Sequence, residues 1–318
     1  MASHVKSIMK KVAITVVLLL VIVVAVVMGG SCYMLDYALA PDSDRKDTAH
    51  CFRKLFDRYP EMKPWVDSLQ RIHALRDTFI TMPTRSNERH HAYYIDNGSN
   101  KTAVVLHGWR NCAIDMLFLA RIYDRELGYN VVAPDLHAHG LSDGDAVGMG
   151  WLDRKDILYW MQVFQTDTMV VHGISMGSAA TMMVAGEDVL PGISDIRFVA
   201  DCGYTSAWDE FAGQLKEQFG LPSFPLMYTT SMLCQLRYGW NFREASSLQQ
   251  VRKAKAPMLF IHGAADTFVP TAMVHELYDA KPDPKELWIA SGAIHAFSYK
   301  EHKSEYIERV KSFVSCPN

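Results

Sequence analysis

Gly173-Ile174-Ser175-Met176-Gly177 stands between an apolar stretch, Met169-Val170-Val171-His172, and a run of small residues, Ser178-Ala179-Ala180. A serine flanked by glycines at a strand-to-helix junction fits a sharp turn in which neighbouring main chain comes too close for side chains. Such a turn needs a buried strand feeding straight into a helix, so βα units are expected around it. It would lift the Ser175 hydroxyl above the sheet and put the Met176 amide at a helix N-terminus, where it can donate to a developing oxyanion.

The rest of the chain keeps this rhythm. Residues 75–82 and 90–96 alternate as two antiparallel strands joined by a turn at Ser86-Asn87. Ala103-Val104-Val105-Leu106 is apolar throughout, as a strand covered on both faces must be. Met116, Leu119, Ile122 and Tyr123 then follow at helical spacing. Further strands are expected over 130–134, 168–172, 196–201, 257–262 and 286–290, and helices over 151–164, 176–186, 271–280 and 301–315. Repeated βα units predict an α/β fold, a mostly parallel, doubly wound, eight-stranded sheet with helices on both faces. The insertion 205–250, broken into short helices by Pro222 and Pro225, is expected to lie over the C-terminal edge as a small cap. The alternative is that its stripe of Phe219, Phe224, Tyr228, Met232 and Leu236 is plain core.

A serine hydroxyl is a nucleophile only when a base takes its proton and a further group orients that base. With the chain order serine, acid, histidine, the acid follows a late strand and the histidine the last one. Met258-Leu259-Phe260-Ile261-His262-Gly263-Ala264-Ala265-Asp266 supplies the first, and Leu287-Trp288-Ile289-Ala290-Ser291-Gly292-Ala293-Ile294-His295 the second. Asp266 and His295 thus fall in loops at the sheet edge where Ser175 lies. Asp201 also ends a strand and is the rival orienting acid. The second oxyanion donor is expected to be the backbone amide of Trp109, in the loop His107-Gly108-Trp109; its ring either walls an acyl pocket or simply packs. His107 and His172 are read as structural partners of the sheet edge. His137 and His139 share a turn with Asp135, but without HExxH or a third ligand at suitable spacing no metal is expected.

Residues 12–28 carry no charge and are followed by Gly29, Gly30, Ser31 and Cys32. About 20 such residues cross roughly 30 Å of hydrocarbon, so residues 12–31 are read as a transmembrane helix. A buried core helix would show polar residues at helical spacing, and there are none. A cleaved signal peptide is the stronger rival. Its small-residue site, Ala38-Leu39-Ala40, lies well past the apolar run and precedes Pro41, and Cys32 resembles a lipoprotein site only weakly. An uncleaved signal anchor is therefore expected. Lys6, Lys10 and Lys11 precede it, while Asp36, Asp42, Asp44 and Asp47 follow, opposed by Arg45 and Lys46. That excess puts residues 1–11 in the cytoplasm and the rest outside the cell membrane. Residues 32–74 then form a linker and helical segment, and residues 75–318 the catalytic domain with its cap.

The 318 residues, 21% charged and 49% apolar, exclude a disordered chain, a fibre and a small disulfide scaffold. With 32 Lys and Arg against 35 Asp and Glu there is no cationic field for nucleic acid. Cys32, Cys51, Cys112, Cys202, Cys234 and Cys316 show no CxxC spacing; outside the cell they could form up to three bridges, whose pairing the sequence leaves open. The sequons at Asn97 and Asn100 matter only in a glycosylating pathway.

His107-Gly108-Trp109, the run Pro134 to Ser142, Gly150-Trp151-Leu152-Asp153, Gly173 to Gly177, Ala200-Asp201-Cys202-Gly203-Tyr204 and Phe260-Ile261-His262-Gly263 together resemble the α/β-hydrolases. Within them, the chain resembles bacterial cell-surface serine hydrolases related to the serine-aminopeptidase-like and acylglycerol-lipase-like groups. The resemblance covers residues 75–315 and implies a Ser175, Asp266, His295 triad with no cofactor. It departs at His137, where relatives commonly carry Arg. Three functions follow as expectations: a membrane-anchored hydrolase of acyl, acetyl or lipid esters; a peptidase or amidase with the same triad; and a non-catalytic binding protein. A pocket acid that captures an α-amine would favour the second, and Glu210 and Glu217 are its candidates, although solvated helix positions explain both more simply.

Overall fold

The computed structural model describes residues 2–188 and 190–316. Eight strands, β1 (Arg76–Met82), β2 (Glu88–Ile95), β3 (Lys101–Leu106), β4 (Asn130–Pro134), β5 (Thr168–Ile174), β6 (Asp195–Asp201), β7 (Met258–Gly263) and β8 (Lys285–Ala290), form one sheet in the order β1-β2-β4-β3-β5-β6-β7-β8. β2 runs against its neighbours β1 and β4, and the other pairs are parallel. The helices are α1 (Ala2–Leu39), α2 (Thr48–Arg58), α3 (Lys63–Arg71), α4 (Leu117–Arg121), α5 (Asp153–Val163), α6 (Met176–Ala185), α7 (Ala207–Phe219), α8 (Leu226–Tyr238), α9 (Ser247–Val251), α10 (Ala272–Ala280), α11 (Ser298–Glu301) and α12 (Lys303–Ser315).

The period-2 pleat of β3 sends Val104 and Leu106 into one core and Ala103 and Val105 into the other. The first core lies under α5, α6, α10 and the cap, and the second under α2, α3, α4 and α12. Two helices differ from the sequence pattern. The first, after β3, is only five residues of α-helix, continuing as a π-helical turn over Ile122–Leu127 that stops at left-handed Gly128. The last is divided at His302 into α11 and α12.

Segment 205–250 forms the cap, α7 to α9. Ser206 caps α7 by accepting from the Asp209 amide (3.0 Å), and Gly220 ends it in the left-handed region. The stripe is not plain core: Phe224, just before α8, is 73% exposed and Leu236 on α8 76%, while Met227, Thr230, Ser231 and Cys234 form the buried face of that helix.

α1 is a candidate membrane span, with no buried residue in its most apolar stretch. It does not stop at residue 31. It continues to Leu39, and Ser31, Leu35, Ala38 and Leu39, at helical spacing, are buried in the domain. There it packs beside α8, with Ser31 Oγ 2.5 Å from Thr229 Oγ1 and Arg237 bonded to Asp36 at 2.9 Å.

Candidate active site

Ser175 joins β5 to α6 with φ 57° and ψ −118°, a strained conformation for a side-chain-bearing residue. Its N–H donates to the Asp201 carbonyl at the end of β6 (2.9 Å), which pins the turn to the sheet. The flanking glycines are required sterically. A Cβ on Gly173 would lie 2.1 Å from the Gly177 carbonyl oxygen, and one on Gly177 would lie 2.3 Å from that of Leu106.

The loops after β7 and β8 meet in the same way. A Cβ on Gly263 would stand 2.2 Å from the Ala293 carbonyl oxygen, which instead accepts the Ala265 amide (2.9 Å). This contact brings the two predicted partners together. His295 Nδ1 is 2.8 Å from Asp266 Oδ2, and His295 Nε2 is 2.9 Å from Ser175 Oγ. Asp266 Oδ1 accepts the amides of Phe268 (3.0 Å) and Val269 (2.9 Å). His262, which the sequence reading did not single out, donates from Nε2 to the Val269 carbonyl (2.9 Å) and also lies 3.3 Å from Asp266 Oδ2. Burial pushes the Asp266 pKa up, but the hydrogen bonds from His262, His295 and the Val269 amide outweigh it and bring it down to about 2.

Asp201 is held elsewhere. Its Oδ2 accepts from the Tyr306 hydroxyl (3.0 Å), and burial pushes its pKa up to about 7. Tyr306 in turn bonds His172 Nε2 (2.9 Å), and His172 Nδ1 meets the Tyr123 hydroxyl (3.0 Å). Burial lowers the His172 pKa to about 3, so the ring stays neutral in the core.

Met176 is the first residue of α6, so its N–H has no acceptor within the helix. Gly108 packs on the Ser175 turn; a Cβ there would be 3.3 Å from Ser175 Cβ. His107 Nε2 accepts the Leu136 amide (2.9 Å), which leaves Nδ1–H to donate to the Gly108 carbonyl (2.8 Å). That carbonyl belongs to the same planar peptide as the Trp109 N–H, so His107 fixes the direction of this amide. The Trp109 ring donates from Nε1 to the Ala38 carbonyl of α1 (2.9 Å).

Above Ser175 and Met176 lies a cleft walled by Trp109, Met149, Tyr204, the cap residues Phe211, Leu215, Phe219, Leu226 and Met227, and Met34, Tyr37 and Ala38 of α1. Glu210 also lines it. Unlike exposed Glu217, it is buried, which corrects the reading of both as solvated positions. Gln214 donates to its Oε1 (3.2 Å), Oε2 has no partner, and burial pushes its pKa up to about 8. His139 accepts the Arg110 amide (3.2 Å), and His137 lies 2.9 Å from a Glu88 oxygen that is also 3.3 Å from His90. The first contact ties the loop after β3 to the loop after β4, and the others tie β2 to that same loop. All six cysteines are unbridged.

No protein-family model matches the chain. YqkD of Bacillus subtilis (strain 168), itself uncharacterised, is 27% identical over 258 residues, 79% of this chain and 84% of its own length. The Pyrococcus furiosus esterase Pf2001 superposes with a TM-score of 0.60 at 25% identity, covering 77% of this chain and 94% of the esterase. The Exiguobacterium antarcticum esterase EaEST shares the fold, with a TM-score of 0.54 at 16% identity over 76% of this chain and all of its own. Sheet order, strained serine turn and these likenesses define the class: the chain belongs to the α/β-hydrolase superfamily. Within that superfamily it is a hydrolase.

Proposed function

We propose that this hydrolase cleaves carboxylic esters through an acyl-enzyme on Ser175. The observation that carries the reading is the unbroken relay of Ser175 Oγ, His295 Nε2, His295 Nδ1 and Asp266 Oδ2, with contacts of 2.9 and 2.8 Å. His295 takes the Ser175 proton as Oγ attacks the ester carbonyl carbon, and the amides of Met176 and Trp109 receive the oxyanion. The C–O bond breaks, and the alcohol leaves with the proton held on His295. Water then attacks the acyl-serine, giving its proton to the same nitrogen; the bond from the acyl carbon to Oγ breaks, Oγ takes that proton back from His295, and the acid departs. Asp266, ionised over the working pH range, keeps the Nδ1 proton of His295 in place. No cofactor enters these steps.

A peptidase with the same relay is the second reading, favoured by the acid in the cleft. Glu210 argues the other way on charge: with its pKa near 8 it is mostly neutral at neutral pH and offers a free α-amine little attraction. The mostly apolar wall likewise suits an acyl chain. In the same proposal α1 is an uncleaved signal anchor, its Lys-rich end cytoplasmic and the catalytic domain outside.

The test is labelling of the full chain by a fluorophosphonate, followed by a screen of esters against aminoacyl amides. Labelling that vanishes in Ser175→Ala, with ester turnover preferred, is expected. A folded wild type that is never labelled would overturn the catalytic reading, and preference for amides would overturn the choice of ester.

A further inference from the structure

One wall of the cleft comes from neither the sheet nor the cap. Met34, Tyr37 and Ala38 belong to the last turns of α1. Leu226, which lines the cleft from the cap side, also touches the helix lower down, where a Cβ on Gly30 would lie 3.2 Å from its Cδ1. Ser31 meets Thr229 and Asp36 meets Arg237, so α1 and α8 run side by side in the same direction. The cleft wall therefore extends along α1 from Ala38 to the level of Gly30, about 12 Å at 1.5 Å per residue.

With α1 taken as the proposed membrane span, that level is where the helix would leave hydrocarbon. Counted from Val12, about 20 residues of span end near Ser31. Tyr33 and Tyr37 follow, exposed and stacked with ring centroids 6.3 Å apart, in the zone where tyrosines sit at the membrane surface. The cap presents a matching surface at the same depth. Residues 218–236 carry no charge. Leu221, Phe224 and Tyr228 stand exposed at the end of the cap nearest Gly30. An apolar patch continuous with a membrane helix is a surface that a bilayer covers and water does not.

We propose that the cap tip, residues 219–225, rests in the bilayer interface beside α1, and that the substrate is a single-chain lipid ester entering the cleft from the membrane along this helix. The acyl chain lies between Met34 and Leu226 while its carbonyl reaches Ser175. This rests on the ester-hydrolase reading and adds to it a substrate class and a route.

The experiment uses the full chain in phospholipid nanodiscs, with soluble p-nitrophenyl butyrate and a long-chain monoacylglycerol dissolved in the disc. Phe224→Asp should keep its rate on the soluble ester and lose about ten-fold or more on the lipid, as expected when a charge is set against the bilayer. Leu221→Asp, in the same loop, serves if the first variant does not fold. An NBD fluorophore on Phe224→Cys, with exposed Cys32 and Cys316 changed to Ser, should emit blue-shifted as in an apolar medium. Undiminished lipid hydrolysis by the Asp variant, water-like emission from position 224, or a wild type that cleaves only the soluble ester would each overturn the proposal. A wild type that cleaves neither ester overturns the ester reading itself, and the substrate class with it, while the emission still reports whether the tip meets the membrane.

Discussion

Asp266→Asn separates the orienting acid from its rival, and the local hydrogen bonds dictate how. Oδ1 of Asp266 receives two backbone N–H groups, from Phe268 and Val269, so the oxygen of an asparagine must take that place. The amide nitrogen then falls where Oδ2 stood, 2.8 Å from His295 Nδ1 and 3.3 Å from His262 Nε2. The opposite flip would set the NH₂ group against two N–H donors, at about 1–3 kcal/mol for each group left unpaired. Facing a donor, His295 Nδ1 must become an acceptor and carry its proton on Nε2. That proton points at Ser175 Oγ, and the base is gone. The loss in kcat/KM should be about 10⁴-fold, or about 5.5 kcal/mol of barrier. Asp201→Asn should cost less than about ten-fold, because an amide oxygen can still accept from Tyr306 and the carboxyl there is already poised near pH 7 to be neutral. The assay is steady-state hydrolysis of a soluble ester, with circular dichroism on both variants. An Asp266→Asn protein retaining a tenth of wild-type activity, or an equal loss at Asp201, would refute the reasoning.

Gly177→Ala forces a Cβ to within 2.3 Å of the Leu106 carbonyl oxygen and 2.7 Å of that of His107. Overpacking against main chain of this kind costs about 1–3 kcal/mol, and the displaced turn should lower kcat about 10²-fold; wild-type turnover would contradict it. Glu210 keeps in the folded state a proton that the unfolded chain loses above pH 4.5, so its contribution to stability falls as pH rises toward 8. Glu210→Gln removes that slope, and thermal unfolding should show the variant gaining on wild type by about 2–4 kcal/mol more at pH 8 than at pH 5; a gap independent of pH counts against it. Cys51 and Cys112 are buried in the same core and near enough to shift each other's thiol pKa, so in the proposed arrangement with the domain outside the cell these two should bridge. Thiol counting on denatured, unreduced protein from the native membrane should find Cys51 and Cys112 blocked, and six free thiols would argue against that side of the membrane.

Fold and chemistry were legible to different depths. The eight strands could be read because parallel strands buried on both faces leave continuous apolar runs such as Ala103 to Leu106, and because glycines at 173 and 177 mark a turn nothing else fits. Ser175, Asp266 and His295 were visible as residues just past strands, in the turn or loops at the sheet edge, and the structure brings them within hydrogen-bond distance of one another. The burial of Glu210 was not visible, since it depends on how α7 lies over the cleft, and a glutamate on a helix looks the same solvated or enclosed. Nor could His262 be picked out: its bond to the Val269 carbonyl closes a turn whose shape no spacing encodes. The exposure of Phe224 and Leu236 was hidden for a related reason. Apolar residues at helical spacing read the same in the sequence whether they face the core or point outward.

The bond from the Trp109 ring to the Ala38 carbonyl, together with buried Leu35 and Leu39, bears on whether this protein can be shed. Cleavage after Ala40, at the small-residue site, would remove two core leucines and the acceptor of the tryptophan N–H and would open the cleft on one side. A released form would be a damaged one. An anchor joined by a loose stalk can be cut to send an intact enzyme into the surroundings; in the anchored arrangement proposed above the domain begins inside α1 itself, so release is expected to cost activity.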